Sequence, residues 1–230
     1  MTPLLSVVIP VRNEAQALPF LLDDLSALGA AGAELIVVDG GSTDGTCEVA
    51  HGRVDQLLKT GPGRAVQMNA GAATARGTYL WFLHADTRVS AEAISRLQQT
   101  LEQRPLWGRF DVRLFPAGPA LRLIGWMINL RSRLTGIASG DQGIFVDRAC
   151  FDALGGYAHI PLMEDLQLCR RLKAQARPHC LRPPLITSSR RWLQHGVWRT
   201  VLLMWCLRLA YYAGANPEKL ARQYRRGSLL

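Results

Sequence analysis

Short apolar runs alternate with helix-length amphipathic stretches through the first half of this 230-residue chain. Leu4 to Ile9 (LLSVVI) predicts a strand, followed by a polar turn and a helical pattern from Ala15 to Leu28. Glu34 to Val38 (ELIVV) predicts a second buried strand closed by DGGSTDGT, and Val54 to Leu58 adds a third. Arg64 to Arg76 reads as a helix behind a Gly-Pro-Gly turn, and Thr78 to Leu83 (TYLWFL) as another buried strand. Apolar strands separated by helices predict a largely parallel sheet covered on both faces. Ligands of such sheets gather at the carboxyl ends of the strands. PVRNE, DGGSTDG and HADT all fall there.

Beyond Asp86 the pattern changes. Ser90 to Gln103 predicts a helix with Ser90 as its N-cap and Pro105 past its end. Trp107 to Phe115 reads as a strand, and Ala117 to Ser139 as a less regular stretch holding one apolar helical piece, LRLIGWMINLRSRL. No linker, repeat or low-complexity tract interrupts the chain. The expected organisation is an α/β domain over residues 1–188 and a basic helical appendix over 189–230.

Charge sharpens that division. Residues 170–230 carry 13 Lys or Arg against one acid, Glu218, a balance of +12, which leaves −3 for the rest of a chain whose total is +9. Such a tail suits a diphosphate or an acidic membrane surface; nucleic acid comes last, because no recognition motif for it is present. A hydrophobic content of 48% with 20% charged residues excludes wholesale disorder. Five cysteines without CxxC spacing read as reduced thiols, and the N-terminus lacks the basic start of a signal peptide, so a cytoplasmic location is expected. Trp192 to Gly214 is too polar for a membrane span, but Trp198, Leu202, Trp205, Leu209 and Tyr212 fall on one helical stripe. That stripe suits either an in-plane membrane helix or packing against the core or a second copy.

Two acidic signals carry the chemistry. Asp86 ends an apolar run, where a carboxylate can grip Mg²⁺ or Mn²⁺ together with a diphosphate. Glu164 and Asp165 open a downstream helix, where a carboxylate can take a proton from an attacking hydroxyl.

The order PVRNE, VVDGGSTDGT, GPGRAVQMNAGAATARGTYLWFLHADT, GGY and MED resembles family 2 inverting glycosyltransferases of GT-A fold, over Ser6 to Arg177. The segment SSRRWLQHGVWRTVLLMWCLRL looks like that of a small bacterial branch of these enzymes. The resemblance implies a nucleoside-diphosphate sugar donor and a hydroxyl acceptor. It puts Pro10, Arg12 and Glu14 beside the nucleoside, Asp39 on base or ribose, and Arg64 near the nucleotide. Asp39 also reads as the head of its own turn, and Arg64 as a solvated first-turn residue. Asp86 is implied as metal ligand, but the family's usual acidic pair is replaced by His84-Ala85-Asp86, with His84 either a ribose contact or structural. Asp165 is implied as the general base, Glu164 as an acceptor contact, and Asp141 and Gln142 as acceptor-side residues. Arg190, Arg191 and Trp192 are similar to the family's diphosphate lid, with His195 a further metal candidate. Asp44 reads as a cap of the helix after it.

Two other readings share these residues. A nucleotidyltransferase has a comparable core and metal aspartate but lacks PVRNE after its first strand. A non-catalytic nucleotide-sugar or membrane-binding protein would explain the departure at Ala85. The acceptor could be lipid-linked if the basic tail meets the cytoplasmic face of an anionic membrane; the sequence leaves the oligomeric state open.

Overall fold

The computed structural model describes residues 3–227. Seven strands form one sheet in the order β3-β2-β1-β4-β6-β5-β7. β1 (Leu5–Val11), β2 (Glu34–Asp39), β3 (Gln56–Lys59) and β4 (Tyr79–Phe82) are mutually parallel. β6 (Phe145–Asp147) runs antiparallel to β4 and to β5 (Trp107–Phe115), and β7 (His179–Ser188) closes the edge parallel to β5. The α/β arrangement expected from the sequence is therefore present.

Alternation along each strand divides the core in two. Val8, Ile36, Val38, Leu80 and Phe82 point to one face, against Met68 and Ala72 of α3 (Arg64–Thr74) and Leu168 and Leu172 of α7 (Glu164–Gln175). Val7, Ile9, Val37 and Trp81 point to the other, against Leu21 and Leu25 of α1 (Leu18–Ala30) and Leu97 and Leu101 of α4 (Ala91–Glu102). Burying each such leucine is worth roughly 2 kcal/mol over leaving it exposed. Ser90 caps α4 by accepting the Ala93 N–H at 3.2 Å, as the sequence predicts. The short α2 (Thr46–Ala50) follows Asp44, whose carboxylate accepts the Thr46 N–H at 3.2 Å.

The stretch after β5 is more regular than its composition suggests. α5 (Pro119–Thr135) is a helix of 17 residues. Asn129 pins it to β5, accepting the Val112 N–H at 2.8 Å and donating to the Val112 carbonyl at 2.9 Å. After α6 (Arg148–Ala153) and α7 comes β7, which carries Pro183 and Pro184; an edge strand tolerates residues that cannot donate to a ladder.

The C-terminal segment is three helices: α8 (Arg190–His195), α9 (Val197–Tyr212) and α10 (Pro217–Arg226). Gly196, at φ +83°, breaks the first from the second. Leu203 and Leu207 of α9 and Leu220 of α10 are buried in the same core as α3 and α7. Trp198, Leu202, Trp205, Leu209 and Tyr212 are all exposed on the opposite side of α9. Leu123, Trp126, Met127, Leu130 and Leu134 form a second exposed stripe on α5. The two helices meet through Ile124 and Ile128 of α5 and Val197 and Val201 of α9. No described helix is long and apolar enough to cross a membrane.

Candidate active site

The carboxyl ends of β1, β2 and β4 lie side by side, with Val11 opposite Asp39 and Val8 opposite Phe82. Gln67 of α3, wholly buried, holds the first two ends together by donating to the Val11 and Val38 carbonyls, both at 2.8 Å. Pro10 is buried within β1 and Arg12 is exposed just past it. The PVRNE loop is laced to the DGGSTDG loop. Asn13 donates its N–H to Ser42 Oγ at 2.9 Å and accepts the Thr43 N–H at 2.9 Å; Glu14 N–H reaches Thr46 Oγ1 at 2.9 Å and Ala15 N–H reaches Asp44 at 3.2 Å.

Asp39 behaves here as the head of its own turn. Its buried carboxylate accepts the Gly41 and Ser42 N–H groups at 3.1 Å and the Ser42 hydroxyl. Burial alone would raise its pKa, but these donors outweigh it and hold the group below the usual carboxylate range.

Asp86 is reached from the far end of the chain. The Arg190 guanidinium stands 3.6 Å from its carboxylate and 3.1 Å from Glu14. Burial raises the Glu14 pKa, and Arg190 works against that rise. The expected lid residues divide. Arg190 turns to the cleft, whereas Arg191 stacks on the Tyr224 ring at 3.5 Å and donates to the Tyr224 carbonyl, anchoring α10. Trp192 packs with Leu121 and Ile124 of α5. His195 lies against Gly227, and among the described residues no group of three His, Cys, Asp or Glu side chains could cage a metal. A ready-made cage with His195 in it is thus absent from the described residues. A lone, partly open carboxylate at a strand end still suits Mg²⁺ or Mn²⁺, which keep several waters and bind through substrate phosphates.

Two residues before Asp86, His84 Nδ1 lies 3.0 Å from Asp141. The His84 ring rests on Gly140, where an added Cβ would come within 2.8 Å of Cε1 and Nε2. Gly140 in turn donates its N–H to Asp165 at 2.8 Å, and Leu166 N–H reaches the other Asp165 oxygen at 2.7 Å. The HAD motif and the MED motif thus meet through one short turn. Gln142 differs from its expected place on the acceptor side. It is wholly buried, donating to the Phe110 carbonyl at 3.2 Å and Ser132 Oγ at 3.0 Å and so bracing the turn from behind.

The position of Asp165 is set locally as well. Met163 precedes it with φ +70°, an uncommon conformation for a bulky residue, at the start of α7. Asn69 of α3 brackets the Tyr157 backbone, donating to its carbonyl at 2.8 Å and accepting its N–H at 2.9 Å, which fixes the GGY loop leading into Glu164. Sequence reasoning gave neither Gln67 nor Asn69 a role in the site; the one available signal was a polar amide at Gln67 among the buried positions Ala65, Met68 and Ala72 of α3.

The charged groups around the Gly140 turn act on one another. Asp141 keeps 48% of its side-chain surface open while protein crowds around it. Burial would raise its pKa, but His84, Arg64 and Arg208 together hold it down. Glu164 is buried, and that burial, with the Asp165 charge beside it, raises its pKa against Arg64. Arg64 is accessible at the first turn of α3, yet feels Tyr224, Glu164, Asp141 and Asp165, which raise its pKa past the opposing effect of burial. Arg64 therefore belongs to the electrostatic field of the cleft.

Comparisons with known proteins agree with this geometry. A PGL/p-HBAD biosynthesis glycosyltransferase of Mycobacterium tuberculosis is 36% identical over 103 residues, covering 41% of this chain and 40% of that protein. An undecaprenyl-phosphate 4-deoxy-4-formamido-L-arabinose transferase of Aeromonas hydrophila is 35% identical over 111 residues, covering 44% of this chain and 34% of its own length. The chain spans well under half the length of these curated relatives. Among solved structures, the mannosyltransferase PcManGT of Pyrobaculum calidifontis, in complex with GDP-Man and Mn²⁺, superimposes with a TM-score of 0.66 at 20% identity, covering 95% of this chain and 67% of that one. The fold is of the GT-A type. The family model described as glycosyl transferase family 2 matches residues 6–145, and with more than half its length inside that match the chain belongs to glycosyl transferase family 2.

Proposed function

We propose that this protein moves a sugar from a nucleoside-diphosphate donor to an acceptor hydroxyl with inversion at the anomeric carbon, Asp165 acting as general base. The observation that carries this reading is the run of contacts from His84 through Asp141 and Gly140 to Asp165. It couples the strand end bearing Asp86 to the carboxylate that opens α7. Asp165 then takes the acceptor proton as the new carbon–oxygen bond forms at the anomeric centre. The bond to the leaving diphosphate breaks on the opposite face and its electron pair stays with that oxygen.

Pro10, Arg12, Glu14 and Asp39 border the nucleoside in this reading, the last only if Ser42 yields one of its contacts. Arg190 and Arg64 face the negative charge that builds on the leaving group. Asp86 would hold Mg²⁺ or Mn²⁺, which supplies further charge stabilisation there. Glu164, with its raised pKa, and Asp141 form the wall on the acceptor side.

The exposed stripes on α9 and α5, together with the basic tail over residues 170–230, support peripheral association with an anionic membrane and a lipophilic acceptor. The Aeromonas relative, named for undecaprenyl phosphate, is in keeping with this. The deciding assay presents UDP-, GDP- and dTDP-sugars with a panel of hydroxyl acceptors and Mg²⁺ or Mn²⁺, and in parallel nucleoside triphosphates with sugar 1-phosphates, and follows the phosphate product. Release of nucleoside diphosphate from the sugar nucleotides supports the reading; release of pyrophosphate from the triphosphates, or no turnover with any donor, overturns it in favour of nucleotidyl transfer or binding alone.

A further inference from the structure

Arg131 on α5 and Arg208 on α9 lie within electrostatic reach of each other. Burial first, and then the like charge of Arg208, bring the Arg131 pKa down to about 10. Nε and Nη2 of Arg131 and Nε of Arg208 are shut off from solvent and meet no protein acceptor. A buried Nε without an acceptor recurs at Arg109, Arg171 and Arg191, but among the described residues Arg131 alone has a buried Nη2 without one as well, whereas Arg133 on the same helix is 2.7 Å from Asp111. The carboxylates in electrostatic reach of the pair are Asp165, which acts on Arg131, and Asp141, which acts on Arg208. Both are already engaged, by Gly140 and Leu166 N–H groups and by His84 respectively.

Buried N–H donors without acceptors are costly, and two like charges held together add to that cost. An anion with several oxygens resolves both at once, because guanidinium forks match phosphate geometry. We propose that Arg131 and Arg208 form a subsite for a phosphate group carried by the acceptor, set beside Asp165. This rests on the reading of Asp165 as the acceptor side of the cleft. It also follows from the helices themselves. α5 and α9, which supply the two arginines, present Trp126, Leu130, Trp205 and Leu209 outward. A phosphate held between them leaves an attached hydrocarbon chain lying on apolar surface.

The test is calorimetric binding of farnesyl phosphate, glycerol 3-phosphate and farnesol, with the donor site filled by Mg²⁺ and whichever of UDP or GDP binds. The parent binds the phosphates and not farnesol. Arg131→Gln and Arg208→Gln each weaken phosphate binding by roughly tenfold or more, the loss of a charge-assisted contact, while nucleotide affinity stays unchanged. Arg131→Lys and Arg208→Lys retain folding and an intermediate affinity. Tighter binding of farnesyl phosphate than of glycerol 3-phosphate assigns the phosphate to a lipid; equal binding assigns it to a water-soluble acceptor. The subsite is overturned if farnesol binds as well as farnesyl phosphate, if the glutamine variants bind phosphate like the parent, or if filling the donor site abolishes phosphate binding. The readout is binding, so a failure of Asp165 as base leaves it intact.

Discussion

The guanidinium of Arg190 stands 3.6 Å from the carboxylate of Asp86, joining the first C-terminal helix to the end of β4. The same side chain reaches Glu14 at 3.1 Å and remains 54% exposed. A group so placed can leave one carboxylate for a phosphate oxygen at little cost, since pairs this open contribute under about 1 kcal/mol to stability. Arg190→Ala should therefore barely change the thermal midpoint yet weaken nucleoside diphosphate binding by roughly tenfold, as loss of a charge-assisted contact does. Thermal unfolding and calorimetry on the same preparation check this. Equal nucleotide affinity in parent and variant would remove Arg190 from the donor side.

Gly140 is fixed by what lies over it. A methyl group there would come within 2.8 Å of the His84 ring, so the ring or the turn must shift, straining the contact with Asp141. Gly140→Ala is expected to cost about 1–3 kcal/mol of stability, the usual penalty of overpacking, and to lower turnover. Adding His84→Ala removes the obstacle and should recover most of the stability without recovering turnover. Denaturant titration of the two single variants and the double variant measures the coupling; strictly additive losses would mean that the contact does not exist in solution.

The sheet was legible in the sequence where the strands are buried on both faces. LLSVVI, ELIVV and TYLWFL have no polar alternation, and each is a strand with the expected loop at its end. The start of α7 was legible from the acidic pair Glu164 and Asp165, which suits the first turn of a helix. β7 was not, because two prolines in its middle argue against a strand and only its position at the sheet edge permits them. The apolar helical piece LRLIGWMINLRSRL is the body of α5, and only the ends of that helix were not read from the sequence. Within the site, the motifs located the strand ends but not the pairs across them. His84 with Asp141, and Arg190 with Asp86, depend on segments far apart in the chain. The separation of Arg190 from Arg191 follows from helix geometry, in which consecutive side chains point about 100° apart, so only one of the pair can face the cleft. Gln142 shows the opposite failure. A polar residue beside a motif looked like a site residue, while its amide was needed to satisfy buried backbone and hydroxyl groups.

The outer face of α9 carries Trp198 at 65% and Trp205 at 55% exposure, a large apolar area for a helix whose other side already fills the core. Vesicles containing anionic lipid should carry the protein upward in flotation, in part through the basic residues and in part through the tryptophans. Raising the salt should reduce but not abolish flotation, because charge attraction is screened and apolar insertion is not. Trp198→Ser with Trp205→Ser should remove the salt-resistant part. Protein that ignores anionic vesicles at low salt would assign this face to another partner, such as a second copy of the chain.

The account turns on Asp165, and the rate of nucleoside diphosphate release by Asp165→Asn under saturating donor and acceptor tests it most directly. Asparagine keeps the size of the side chain and an oxygen for the Gly140 N–H, but it cannot accept the acceptor proton. The account predicts a loss of about 10²–10⁴-fold in turnover, the contribution expected of a general base, with nucleotide affinity as in the parent. Turnover within a few-fold of the parent would contradict it.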